Sequence, residues 1–185
     1  MNVAVYLGSR PGDSPAYAKN AEALGRWLGK SGLTLVYGGS KGGLMGVLAS
    51  AALSEGGRVI GVLPDVDLIM QLKQPGLSQY VYTEDVAERR SRMIELADAF
   101  VVLPGGLGTI DEITEVLSLA SLDLIRQPIV FFGAEGYFEP FRALFKHMIQ
   151  KGFSEEAYFK NVCFTESLDE LAAFLRGHNI NANLS

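Results

Sequence analysis

Short apolar runs alternate with helix-patterned segments along the whole chain, and this alternation constrains the fold more than any other feature. Val3–Leu7, Leu33–Tyr37, Arg58–Leu63, Ala99–Leu103, Ile129–Phe132 and Asn161–Phe164 read as strands. They lack the apolar–polar alternation of a sheet with one wet face, so both of their faces must be covered. Ser14–Lys30, Leu44–Glu55, Glu84–Ala97, Ile110–Leu122, Tyr137–Lys151 and Leu168–Leu175 carry helical periodicity instead. Strand and helix in turn predict an α/β fold built on one doubly wound parallel sheet, Rossmann-like. A chain of 185 residues fits a single domain, expected over 1–176 with Gly177 ending the last helix and 177–185 left as a polar tail. The rhythm breaks once, from Pro64 to Thr83. Two prolines, Gly76 and scattered apolar residues mark that stretch as a loop long enough to serve as a lid or pocket wall.

Strand ends are marked by glycine three times. Gly8-Ser9-Arg10-Pro11-Gly12 follows the first strand, Gly38-Gly39-Ser40-Lys41-Gly42-Gly43 the second, and Pro104-Gly105-Gly106-Leu107-Gly108-Thr109 the run Ala99–Leu103. A parallel sheet gathers its strand C-termini on one edge, where such folds bind ligands. Any one of these glycine turns can be just a tight turn. The third also opens a helix, where bare amide groups and the helix dipole favour phosphate. No turn reads G-x-G-x-x-G and no P-loop is present, which disfavours dinucleotide dehydrogenases and NTPases. Lys41 reads either as a phosphate contact or as a solvated loop lysine.

Composition narrows the chemistry. A net charge of −5, with no Lys/Arg run longer than Arg89-Arg90, argues against nucleic acid as the partner. Cys163 is the only cysteine, so no disulfide framework or thiol metal site is available, and its apolar neighbours suggest an inert thiol. No apolar stretch approaches the ~20 residues of a membrane span. Strand-like residues at the start, without a charged leader, lead us to expect a cytoplasmic protein.

Two helices hold the candidate side chains. On Glu84–Ala97, a helical projection puts Val86, Met93 and Ala97 on the packed stripe, flanked by Arg89 and Arg90. A packed arginine needs an acceptor, so these two either pair with local carboxylates or reach a ligand at the sheet edge. On Ile110–Leu122 the projected core stripe is Ile110, Ile113, Leu117 and Ala120, with Glu112 beside it and Asp111 and Glu115 further round. Carboxylates in a first helical turn are favoured by the dipole in any case. His147 and His178 lack base-activating partners, so a Ser/His/Asp nucleophile has no support.

Pro104-Gly105-Gly106-Leu107-Gly108-Thr109-Ile110-Asp111-Glu112 resembles the PGGxGTxxE signature of the LONELY GUY family, also described as possible lysine decarboxylases. Tyr37-Gly38-Gly39 with Gly43-Leu44-Met45-Gly46, the Arg89-Arg90-x-x-Met93 helix, Ala97-Asp98-Ala99-Phe100 and Gly152-Phe153 are similar to further family segments. Arg90 stands where the family has lysine, Ser40-Lys41 replaces a more glycine-like pair, Arg10 replaces a small residue, and the lid reads Gln71-Leu72-Lys73-Gln74 where a glutamate is usual.

The resemblance implies a phosphoribohydrolase that cleaves the N-glycosidic bond of a cytokinin-type, N6-substituted adenosine 5′-monophosphate. It implies Arg89 and Glu112 as the catalytic pair. Gly8, Ser9, Gly38, Gly39, Met45, Arg90, Gly105, Gly106, Leu107, Gly108, Thr109 and Glu115 are the expected substrate-binding set. No metal and no cofactor are implied, and a homodimer with active sites near the subunit interface is, with Leu117–Leu124 and Tyr137–Met148 offering apolar surface. A rival from another class is a non-catalytic nucleotide-binding or sensing module on the same fold. A decarboxylase would need a Schiff-base lysine, and only Lys41 stands near the expected edge.

Overall fold

The computed structural model describes residues 1–178; the tail expected over 177–185 lies, from residue 179 on, outside the described residues. Seven strands form one sheet: β1 (Asn2–Tyr6), β2 (Thr34–Tyr37), β3 (Val59–Pro64), β4 (Gln79–Thr83), β5 (Ala99–Val102), β6 (Ile129–Phe132) and β7 (Val162–Thr165). The helices are α1 (Pro15–Lys30), α2 (Gly43–Ser54), α3 (Asp67–Gln71), α4 (Val86–Leu96), α5 (Leu107–Ser121), α6 (Glu139–Gln150) and α7 (Leu168–Gly177), with a 3-10 turn at Glu156–Phe159. The strand order is β4-β3-β2-β1-β5-β6-β7 and every neighbouring pair is parallel. The expected doubly wound α/β sheet is therefore the observed one.

Successive strand residues point to opposite faces, and the sheet uses this to bury two cores. Val3, Val5, Leu35, Val101 and Val130 face one layer, against Leu24 and Leu28 of α1, Leu48 of α2 and Leu171 and Leu175 of α7. Ala4, Tyr6, Val36, Phe100, Val102 and Phe131 face the other, against Met93 of α4, Ile113 and Val116 of α5 and Phe145 of α6. Both faces are dry, which is why the strand sequences show no alternation.

Helix starts follow local chemistry. Ser14 caps α1 by accepting from the Ala16 N–H at 3.2 Å, and Asp85 caps α4 by accepting from the Glu88 N–H at 2.8 Å. The sheet reverses its direction of growth at β1. Its next strand in sequence, β2, lies on one side, and β5, after the excursion through β3 and β4, lies on the other. At such a switch point the loops leaving the two central strands part and open a crevice at their carboxyl ends.

The structure corrects the reading of Pro64–Thr83. It is a short helix, α3, followed by the edge strand β4, which pairs with β3 from Ile60↔Gln79 to Pro64↔Thr83. The segment is stitched to the second glycine turn: the Lys41 N–H donates to the Leu72 carbonyl and the Gln74 N–H to the Gly39 carbonyl, each at 2.8 Å. Held sideways in this manner, none of it lines the crevice. The strand signal, Tyr80-Val81-Tyr82-Thr83, was masked by the prolines and glycine before it. Val86, expected on the packed stripe of α4, is exposed, since it stands in the solvated first turn beside the Asp85 cap.

Candidate active site

The crevice is a cleft of about 630 Å³ at the carboxyl ends of β1, β2 and β5. Its floor is the turn Pro104–Gly106. The Gly8 N–H donates to the Pro104 carbonyl at 3.0 Å, tying the first glycine turn to the third. A Cβ on Gly105 would fall 2.1 Å from Thr109 Oγ1 and 2.9 Å from Gly8 N. Only glycine permits this closure. Gly106 caps α5 without a side chain, so the first-turn amide groups of Leu107, Gly108 and Thr109 are left to the positive end of the helix. Beside Gly106 and Gly108 there is open space. The result is a helix N-terminus with bare amide groups facing a cavity, a geometry suited to an anion.

At the next turn of α5 sits Glu112. Its Oε1 accepts from Nη2 of Arg89, on α4, at 2.5 Å. The side chains are only 14% and 9% exposed, so this is a nearly dry ion pair. Burial is the largest influence on Glu112 and lifts its carboxyl from 4.5 to about 7. Arg89 opposes that rise, Asp111 adds to it, and Arg90 opposes it. Desolvation thus outweighs the partner cation. Arg89 Nε is buried with no hydrogen-bond partner among the described residues. Gly38 lies alongside the pair: a Cβ there would fall 2.9 Å from Met45 Cε, while Arg89 Nη1 would be at an ordinary contact distance of 3.5 Å. Tyr6 lies beneath the pair; burial and the nearby charges of Glu112 and Glu115 push its phenol far up, so it stays neutral.

The helical projection placed Glu112 beside the core stripe of α5. The buried face is in fact Thr109, Glu112, Ile113 and Val116, while Ile110, Leu117 and Ala120 are half-buried. The helix is rolled toward the cleft, and the glutamate is on the inner face itself.

Most of the expected set converges. Gly8, Ser9, Gly38, Met45, Arg89, Glu112 and the whole stretch Gly105–Thr109 line the cleft. Gly39, Arg90 and Glu115 do not. Gly39 is held at φ 74° against Leu63. Arg90 donates from Nε to Glu115 at 2.7 Å and from Nη1 to Asp111 at 3.0 Å, on the outer flank of the two helices. Sequence reasoning missed Asp13, Tyr17 and Tyr137, which also line the cleft. Tyr137 follows Gly136 at the carboxyl end of β6, on the same sheet edge, and that position was its only signal. Among the described residues, none of those lining the cleft is a lysine, and Lys41 is not brought into it. Cys163 lies half-buried in β7, far round the sheet, with its thiol pushed up by burial.

Comparison with known proteins places this geometry. The family model described as possible lysine decarboxylase matches residues 45–175. A cytokinin riboside 5′-monophosphate phosphoribohydrolase from Rhodococcoides fascians is 38% identical over 176 residues, covering 95% of this chain and 89% of that protein. A probable enzyme of the same name from rice is 38% identical over 156 residues, covering 84% of this chain and 67% of its own. Among solved structures, a molybdenum cofactor binding protein from Rippkaea orientalis superposes with a TM-score of 0.73 at 20% identity, covering 96% of each chain. The molybdenum cofactor carrier protein of Chlamydomonas reinhardtii gives 0.72 at 19% identity, covering 97% of each. At those identities the structural likeness speaks for the fold alone. The sequence matches speak for more: the chain belongs to the LONELY GUY family, whose model is described as possible lysine decarboxylase.

Proposed function

We propose that the protein hydrolyses the N-glycosidic bond of an adenine-type nucleoside 5′-monophosphate, N6-substituted adenosine monophosphates included, to free base and ribose 5-phosphate. The observation that carries this reading is the dry Arg89–Glu112 pair one helical turn from an open amide cradle. The cradle at Gly105–Thr109 takes the 5′-phosphate. That anchor sets the ribose beside Glu112 and turns binding energy into positioning. As the bond to the base breaks, positive charge builds on the ribose ring, and the Glu112 carboxylate stabilises it. Water adds to the anomeric carbon, polarised by the same carboxylate, and the base leaves with its bonding electrons and takes up a proton. Arg89 holds Glu112 in orientation and contacts the sugar hydroxyls. Its relatives' names support this substrate class.

The pair also argues against a purely binding module, which has no use for a buried carboxylate held near neutrality. Incubation with AMP, prenylated AMP and adenosine, with chromatographic detection of free base, tests the reading. Base released from the monophosphates supports it; binding without release would leave the sensing module. The active form is taken to be a homodimer with its clefts near the interface. The exposed Leu122, Leu124 and Leu144 support this, and light scattering on the purified protein tests it. No described helix is long and apolar enough to cross a membrane; a cytoplasmic location is part of the same proposal.

A further inference from the structure

The turn after β6, Gly133-Ala134-Glu135-Gly136, is not one of the three glycine turns singled out in the sequence, yet it touches the anion cradle. The phenol of Tyr137 donates to the Gly105 carbonyl at 2.5 Å, reaching across from the β6–α6 connection to the β5–α5 turn. The backbone that delivers it is held under strain. Ala134 to Tyr137 form a tight turn closed by the Tyr137 N–H donating to the Ala134 carbonyl at 3.0 Å. Both central residues have positive φ, Glu135 at 55° and Gly136 at 71°. Such a turn suits asparagine or glycine at its first central place. A glutamate there costs energy that the surroundings must offset.

Three ties hold the turn in place. Asn20 of α1 donates to the Gly133 carbonyl at 2.6 Å, the Gly133 N–H donates to the Thr165 carbonyl at 2.9 Å, and Glu166 accepts from the Gly136 N–H at 2.7 Å. The Tyr137 ring is set edge-on against Tyr17 at 5.6 Å and against Phe138 at 5.1 Å. A tyrosine braced on both sides, on a strained turn tied at three points, ends on one carbonyl of the phosphate turn.

That carbonyl matters because of what is attached to it. In a planar trans peptide the C=O of Gly105 and the N–H of Gly106 point in opposite directions. Fixing one fixes the other. Two consecutive glycines leave the peptide between them free to rotate through conformations closed to other residues. Thr109 packs against Gly105 on one side, and the Tyr137 phenol is the side-chain hydrogen bond that takes up its carbonyl.

We infer that Tyr137 is a positioning residue for the anion cradle: its phenol holds the Gly105 carbonyl, and with it the Gly105–Gly106 peptide that leads into α5, and so sets where the amides of Leu107, Gly108 and Thr109 stand for a substrate phosphate. The inference rests on the proposed reading of the cleft. It assigns Tyr137 to the phosphate and not to the base or to bond cleavage.

Tyr137→Phe removes only the hydroxyl and leaves the ring in its aromatic contacts. Titration calorimetry of ribose 5-phosphate, which the proposed reaction does not consume, should show about tenfold weaker binding by the variant. Adenosine, which lacks the phosphate, should bind within twofold of wild type. In turnover of AMP the KM should rise by a similar factor while kcat changes less than threefold. A merely structural role would weaken both ligands equally or lower kcat, and either result overturns the inference, as does unchanged binding of ribose 5-phosphate. Wild-type protein that does not bind ribose 5-phosphate also overturns it. If wild type releases no base from AMP but Tyr137→Phe still weakens ribose 5-phosphate selectively, the hydrolase reading falls and this inference stands. Should Tyr137→Phe fail to fold, Glu166→Gln loosens the same turn from its far side and must give a smaller loss of the same selectivity.

Discussion

Arg89 and Arg90 are adjacent on α4, and both reach carboxylates of α5, yet they live in different media. Arg89 and Glu112 are nearly excluded from water, whereas Arg90, Glu115 and Asp111 have side chains 24%, 36% and 59% exposed. Around Arg90 the hydrogen bond it donates to Glu115 simply strengthens the cation's hold on its proton. Around Glu112 burial wins over the partner charge and the acid is brought near neutrality. Solvent access, not pairing, separates a chemically poised ion pair from an ordinary one.

The widest gap should be in turnover. Glu112→Gln or Arg89→Ala should each lower base release from AMP by roughly 10³-fold, the scale seen when a positioned electrostatic group is removed. Arg90→Ala and Glu115→Gln should stay within about tenfold. Equal losses on both sides, read by chromatography, would erase the distinction and put Arg90 and Glu115 on the substrate.

Stability sharpens it next. The folded chain holds the Glu112 proton more tightly than the unfolded chain does, so stability is lost as pH rises from about 4.5 to about 7. Above that window the cost is on the order of 3 kcal/mol, from a shift to about 7 at 1.36 kcal/mol per unit. Glu112→Gln should therefore melt several degrees above wild type at pH 8.5, with the gap closing by pH 5. A variant less stable than wild type at pH 8.5 would mean that the partner cation outweighs burial after all.

Smaller still is the outer pair's influence across the helix. The acid limb of kcat/KM should rise through about pH 7 as Glu112 ionises in the free enzyme. Arg90→Gln removes a charge that favours ionisation and should move the limb to higher pH; Asp111→Asn should move it lower. Shifts of a few tenths of a pH unit in opposite directions are expected from pH–rate profiles. Least of all, Glu115→Gln should change the melting free energy by no more than about 1 kcal/mol, and less in high salt.

The sequence made the sheet legible because two-faced burial writes strands as unbroken apolar runs, as in Ala99–Val102. The cradle was legible because closing Pro104–Gly106 onto Thr109 demands glycine. Glu112 and Arg89 were singled out by the family signature; a helical projection alone misjudged their depth, because it cannot know how far a helix rolls when its first turn packs over a cleft. β4 was hidden because Pro75 and Gly76 mark the turn that leads into it, not its own tendency. Tyr137 left no signal beyond its place after Gly136 at a strand end: its partner Gly105 lies 32 residues earlier, and only the folded edge brings them together.

The central place of β1 carries a consequence for biosynthesis. β1, made before the other six strands described, is flanked by β2 and by β5, with Val3 opposite Ala99 and the Asn2 N–H donating to Asp98 at 2.7 Å. A nascent chain that has emerged only as far as Thr83 can assemble β1 to β4, but β1 is then a bare hydrophobic margin awaiting a partner still to be translated. Such an intermediate is part of a sheet with no complete pocket, and chaperone demand should peak in that interval and end once β5 pairs along the margin.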